Sequence, residues 1–207
     1  NMDGAYFPVK TIIPSTEIVH DRVMLELFRG CIRGCRFCQA GYVYRPVRSR
    51  SPELLAQYGK AACEDSGYQE MTLSSLSSTD YPCLLELCDD LLDYCAPRDI
   101  GLSLPSMRAD TFSMNLMERL QRVRKGGLTF APEAGTQRLR DAINKNLREE
   151  DLLQSVRTAF TGGWNGVKLY FMLGLPTETD EDVLGIADLA RKVYFAWREC
   201  SPNKARG

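Results

Sequence analysis

The sequence predicts an α/β fold built from a series of parallel βα units. Three observations carry that prediction. Short apolar runs alternate with stretches of helical periodicity along most of the chain, and such alternation implies a parallel sheet. The apolar runs are nearly continuous, as strands covered on both faces require. Polar and glycine-bearing segments fall just after the strand ends, where parallel sheets and barrels keep their ligand sites.

Taken in order, residues 1–20 are punctuated by Pro8 and Pro14 and lack periodicity. They read as an extended lead-in to a core over 21–207. The first strand is expected at about 23–29. Ser51-Pro52-Glu53 opens a helix with a capping residue, a proline in the first turn and an acid at the positive end. Leu54, Leu55, Tyr58, Ala61 and Ala62 form its stripe, and Gly67 closes it. The second strand is Glu70–Ser75. A helix follows from near Pro82, with Leu84, Leu85, Cys88, Leu91, Leu92 and Cys95 on one side and Pro97 as its stop. The third strand is Ile100–Leu104, followed by a helix from Ser113 that carries Val123 and ends at Gly126-Gly127. Leu128–Ala131 is the fourth strand, with helical pieces at about 136–144 and 149–161. Val167–Met172 is the fifth, followed by a helix over about 180–199.

One loop stands apart. Arg29-Gly30-Cys31-Ile32-Arg33-Gly34-Cys35-Arg36-Phe37-Cys38-Gln39-Ala40-Gly41 sets three cysteines at C-x3-C-x2-C directly after the first strand. Glycines at 30 and 34 let the loop turn back on itself, and thiolates hold soft metals and iron–sulfur clusters. A structural zinc site is closed by four ligands, and iron–sulfur clusters usually take four cysteines. A local set of three leaves one position for a distant residue or for a substrate. His20 is the only histidine in the chain and is the candidate fourth ligand of a zinc or electron-transfer module. As an edge residue in a hydrogen bond it needs no such role. Cys63, Cys83, Cys88, Cys95 and Cys200 are scattered. Cys88 and Cys95 sit on an apolar helical stripe, where cysteine acts as a small hydrophobe.

Composition narrows the function further. The chain has 207 residues and a net charge of −1, so no global basic field collects nucleic acid. No run is apolar enough to span a bilayer. The N-terminal residues lack the charged and apolar regions of a signal peptide. Eight cysteines without an export signal point to a reducing compartment, hence a cytoplasmic protein. The first residue is not Met, and the reading expects a piece of a longer protein.

The cysteine triplet, its position after the first strand and the aromatic Phe37 before the last cysteine resemble the radical S-adenosylmethionine (radical SAM) superfamily. The resemblance is closest to an uncharacterised group whose members carry a B12-binding domain. It extends to Tyr44-Arg45-Pro46-Val47-Arg48, Leu128 through Thr136, Ile143-Asn144-Lys145 and Lys168 through Thr179, and covers about residues 20–199. It implies a partial parallel barrel with five βα units present of an expected six, the chain stopping before the sixth strand. It also implies a [4Fe-4S] cluster held by Cys31, Cys35 and Cys38, with SAM on the fourth iron. Cobalamin would enter only through a domain absent from this chain. An electron donor such as a flavodoxin or ferredoxin is the implied partner, and no membrane is.

The resemblance also assigns individual residues. Ser74 and Ser75 stand where the family places a Gly-Gly-Glu-like segment that accepts from the SAM amine; they suit a capped turn equally well. Arg108 pairs with the SAM carboxylate, since a guanidinium is a natural fork for one; a surface ion pair would suit it otherwise. Glu133 accepts from the ribose hydroxyls. Gly174 lets the backbone approach the adenine, or simply ends a strand in a turn; Phe37 shapes the adenine side through its backbone, or packs as core. Lys168, inside an apolar strand, is expected at the barrel mouth or against a partner such as Glu133. Arg45, Arg48 and Arg50 follow the loop and suit either a solvated segment or an anionic substrate such as RNA phosphate.

Overall fold

The computed structural model describes residues 2–105, 107–111, 114–120 and 127–200. The helix start at Ser113, its Val123 and Gly126, and the chain from Ser201 onward lie outside the described residues. In chain order the elements are β1 (Val23–Glu26), β2 (Phe28–Arg29), α1 (Ala40–Val43), β3 (Arg48–Ser49), α2 (Pro52–Ser66), β4 (Glu70–Ser74), α3 (Leu84–Cys95), β5 (Gly101–Ser103), α4 (Met114–Leu120), β6 (Leu128–Glu133), α5 (Gln137–Ala142), α6 (Glu149–Thr161), β7 (Val167–Phe171) and α7 (Asp180–Cys200). The chain divides into two compact units.

The first unit comprises Asn1–Gly30, Pro46–Ser106 and Glu118–Gly126. Its sheet has the order β1-β4-β5, all parallel. Central β4 aligns Met71 with Val23 and Leu73 with Leu25. Met71, Thr72 and Leu73 are all buried, which is why this strand reads as an unbroken apolar run. α2 buries Leu55, Ala56, Ala62 and Cys63, and α3 buries Leu84, Leu87, Cys88, Leu91, Leu92 and Cys95, while Leu85, expected on the same stripe, is exposed. Gly67 ends α2 in the left-handed conformation, as helix C-termini favour.

Two expectations change here. The first strand does not run unbroken to residue 29. Buried Leu27 donates its N–H to Ser74 O at 2.9 Å and accepts from Arg50 N at 3.0 Å. The chain thereby changes partners, and β2 pairs antiparallel with β3. A single residue that bonds on both sides splits one apolar run into two strands. Arg50, grouped with Arg45 and Arg48 as a contact for an anion, is only 5% exposed. It donates to Met2 O at 2.9 Å and Ala5 O at 3.1 Å, while Asp3 Oδ1 accepts from Ser51 N–H at 2.8 Å. Phe7 stacks on Tyr58 with ring centroids 4.7 Å apart. Arg50 therefore ties down the start of the chain; Arg45 and Arg48 remain exposed.

The second unit comprises Cys31–Arg45, Met107–Met117 and Gly127–Gly207. β6 and β7 run parallel, with Leu128 opposite Val167 and Phe130 opposite Leu169. The register then shifts between Phe130 and Glu133, at Pro132, which has no N–H to give the ladder. α6 buries Leu152, Val156, Ala159 and Phe160, and α7 buries Leu189, Val193 and Ala196. Ala134, Leu139, Ile143 and Leu175 form a small core beneath the strand ends. The parallel strands described form two sheets, β1-β4-β5 in the first unit and β6-β7 in the second. Lys168 is exposed on β7 and is not the partner of Glu133.

Candidate functional site

The cysteine loop, Phe37, Arg108, Glu133 and Gly174 all belong to the second unit, and Ser74 and Ser75 to the first. Local geometry holds the loop in shape. Gly34 sits at φ 69°, a conformation that costs an L-residue about 1–2 kcal/mol. A Cβ at Gly41 would lie 3.1 Å from Gly34 N and 3.2 Å from Gly34 Cα, so α1 meets the loop backbone closely only because position 41 has no side chain. Cys31 N–H donates to Tyr44 O at 3.2 Å, and Cys38 N–H donates to Cys35 O at 3.0 Å.

The loop also rests on the turn after α5. Arg36 N–H donates to Ile143 O at 2.9 Å, Arg36 Nη1 donates to Ala142 O, and Asn144 Nδ2 donates to Gly34 O at 2.9 Å. Asn144 and Asn146 lie at φ 56° and 50°, a region asparagine tolerates better than most residues. Ile143 beneath them is buried. Within the loop, Cys35 is buried while Cys31 and Cys38 are half-buried. Burial pushes the Cys35 thiol up; the positive charges of Lys145 and Arg108 oppose that shift, and Cys38 and Cys31 add to it. The sulfurs therefore share one electrostatic neighbourhood. Phe37 is 37% exposed and is no core residue.

Arg108 makes a bidentate pair with Asp110, both contacts at 2.9 Å, and also donates to Asn146 O at 3.3 Å. Arg33, between the first two cysteines, stands 3.9 Å from Asp110. A ligand carboxylate would compete with Asp110 for the Arg108 fork. Glu133 closes β6 at φ 68°, and such a conformation in a non-glycine residue costs on the order of 1–3 kcal/mol unless its surroundings hold it. They do: Glu133 O accepts from Met172 N at 2.8 Å, and its carboxylate pairs with Lys145 Nζ at 3.0 Å. Gly174 lies at φ 77° with open space where a side chain would stand.

In the first unit, Ser74 ends β4 and its carbonyl accepts from Leu27 N–H. Ser75 Oγ accepts from Ser77 N–H at 3.3 Å and donates to Ser78 Oγ at 3.2 Å. These are the bonds of a serine turn.

The residues that sequence reasoning passed over are Gly41, Asp110, Asn144 and Lys145. Gly41, Asn144 and Lys145 lay inside quoted segments and Asp110 did not, and the use of each depends on a folded contact that its own residue type does not announce. Asp182 is another. Buried near the start of α7, it accepts from Thr136 Oγ1, Arg138, Thr179 N–H and Thr179 Oγ1. The Thr136 hydroxyl, then Arg138 and Thr179, hold its carboxyl far below the usual carboxylate range against the opposing effect of burial.

Among the described residues no three His, Cys, Asp or Glu side chains are arranged to hold a single metal ion. A four-iron cluster asks for something different. Its protein thiolates each take a separate iron, so they stand farther apart than the ligands of one ion. Three thiols on one glycine-turned loop, with cationic side chains acting on the buried one, suit that donor set.

Comparison with known proteins bears on the same segment. The family described as the Radical SAM superfamily matches residues 25–190. An uncharacterised protein of Methanocaldococcus jannaschii is 40% identical over 170 residues, which is 82% of this chain and 37% of the relative. A tRNA-2-methylthio-N(6)-dimethylallyladenosine synthase of Pelotomaculum thermopropionicum is 28% identical, over 84% of this chain and 40% of the relative. The chain thus spans less than half the length of these relatives. Among solved structures, the radical SAM methyltransferase TsrM of Kitasatospora setae has a TM-score of 0.67 at 14% identity, covering 84% of this chain and 34% of that one. The cobalamin-dependent radical SAM enzyme OxsB has a TM-score of 0.61 at 15% identity, covering 80% and 26%. At such identities the likeness concerns the fold.

Proposed function

The chain belongs to the radical SAM superfamily, a family that uses a [4Fe-4S] cluster and SAM, and on that premise we propose that it is the core in which Cys31, Cys35 and Cys38 hold the cluster and SAM is cleaved. Cys31, Cys35 and Cys38 would hold the cluster, and the chemistry it would supply when bound is one-electron reductive cleavage of SAM, with hydrogen abstraction from a substrate to follow. The observation that carries the proposal is the loop itself: three thiols, one buried and two half-buried, on a backbone fixed by Gly34, Gly41 and the turn at 142–146.

The chain's residues take the remaining work. The loop backbone orients the thiols. Arg108, now closed on Asp110, exchanges that partner for the SAM carboxylate. Glu133, held by Lys145, accepts from the ribose hydroxyls. The open space over Gly174 receives the adenine, with Phe37 shaping its side. We read 1–20 as a lead-in and 21–207 as the core, whose βα units form part of a six-unit barrel. Radical SAM enzymes generally need an electron donor, and a flavodoxin or ferredoxin fits that role here. No helix among the described residues is long and apolar enough to cross a membrane. The likeness to a tRNA-modifying enzyme, with exposed Arg45 and Arg48 following the loop in sequence, makes RNA the first substrate class to try.

The test is anaerobic reconstitution of the full chain with iron and sulfide, reduction, and assay of 5′-deoxyadenosine from SAM. Product formation that disappears in Cys31→Ala, Cys35→Ala and Cys38→Ala is expected. A cluster-loaded protein that leaves SAM intact would overturn the proposal, as would a tightly held zinc closed by a fourth protein ligand.

A further inference from the structure

Lys145 is placed where two parts of the proposed site meet. Its Nζ lies 3.0 Å from Glu133, and the two side chains are 13% and 16% exposed, so their charges act in a medium that screens them less than open water. Its neighbour Asn144 donates to Gly34 O at 2.9 Å, and Gly34 directly precedes Cys35. The hydrogen bond thus locks together the two residues adjoining Lys145 and Cys35. The left-handed turn at Asn144 and Asn146 fixes this arrangement from the backbone up.

We propose that Lys145 is a positioning residue that serves both halves of the site, holding the Glu133 carboxylate in place and favouring the reduced state of the iron–sulfur cluster on the neighbouring loop. The inference rests on the cluster assignment above and deepens it. Adding an electron makes a cluster more negative, so a fixed positive charge nearby favours the reduced form and a fixed negative charge opposes it. Lys145 and Glu133 therefore have opposite effects. Removing the lysine charge makes the cluster harder to reduce. Removing the glutamate charge leaves the lysine charge uncompensated and makes reduction easier.

The experiment is a redox titration of the reconstituted full chain without SAM, followed by electron paramagnetic resonance, in wild type, Lys145→Met, Lys145→Arg and Glu133→Gln. At a fixed potential the ratio of reduced to oxidised cluster is expected to fall about tenfold in Lys145→Met, which is about 59 mV for a one-electron couple. It rises in Glu133→Gln and returns close to wild type in Lys145→Arg. A residue that only supports the fold would not produce shifts of opposite sign. Potentials in Lys145→Met and Glu133→Gln that match wild type overturn the inference and leave the cluster assignment standing. If Lys145→Met takes up no cluster, Glu133→Gln decides the matter: an unmoved or lowered potential there overturns it. A wild-type chain that takes up no cluster overturns the cluster assignment, and this inference with it.

Discussion

The cysteines of α2 and α3 and those of the loop show how surroundings give one side chain two uses. Cys63, Cys88 and Cys95 are buried on apolar helix faces. Burial pushes the Cys63 thiol up to about 11, and the Cys88 and Cys95 thiols up to about 12. These sulfurs pack as small hydrophobes and stay protonated. Cys35 is also buried and also pushed up, but there Lys145 and Arg108 pull the other way, and two half-buried cysteines stand in the same loop. Sulfur on a helix stripe fills space. Sulfur on the glycine-turned loop sits where burial and nearby positive charge oppose each other.

The sharpest break between the two groups is expected in iron uptake. Alanine at Cys31, Cys35 or Cys38 should abolish cluster assembly, measured as iron and sulfide per chain. Alanine at Cys88 should leave assembly intact and instead lower stability by about 1–2 kcal/mol, the range for a small core truncation, measured by urea unfolding. Equal iron content in both kinds of variant would erase the distinction.

The second difference concerns alkaline pH. The folded protein binds the Cys88 and Cys95 protons more tightly than the unfolded chain does. Their contribution to stability is therefore fully present below the ordinary thiol value near 9 and is lost as pH rises toward about 12. Urea midpoints should fall between about pH 9 and about pH 11, and less steeply in Cys88→Ala. A slope unchanged by that substitution would count against helix burial as the cause.

Smaller effects sharpen the loop side. Gly34→Ala forces a side chain to adopt φ 69° and should cost about 1–2 kcal/mol, with poorer iron retention at equal protein concentration. Asn144→Ala removes one donor to Gly34 O and should cost about 1 kcal/mol. Its iron loss should be slower than that of Gly34→Ala in a chelator challenge. The reverse ranking would mean that the turn at 142–146, rather than the loop's own backbone, dominates.

The strand and helix series was legible in the sequence because each element carries its own period. The loop was legible because its spacing is local. What was not legible depends on contacts between residues distant in sequence. Nothing local marks Leu27 as the point where the chain leaves β4 for β3, since its apolar run continues through Phe28. Arg50 looks like its exposed neighbours Arg45 and Arg48 until the carbonyls of Met2 and Ala5 reach it from the chain start. Lys168 was expected at the barrel mouth or against a partner such as Glu133, but it is exposed on β7, and Glu133 pairs with Lys145 instead. Arg108 was expected against a ligand carboxylate or in a surface ion pair, and in the fold it closes on Asp110 and also reaches the distant Asn146 carbonyl.

The most direct measurement of the central claim is the electron paramagnetic resonance spectrum of the reduced, reconstituted chain with and without SAM. The loop is expected to hold a four-iron cluster, giving about four irons per chain. SAM should shift the signal in wild type and leave no signal to shift when any of Cys31, Cys35 or Cys38 is alanine. A cluster whose spectrum ignores saturating SAM would show that the fourth iron is not open to it, and would contradict the account.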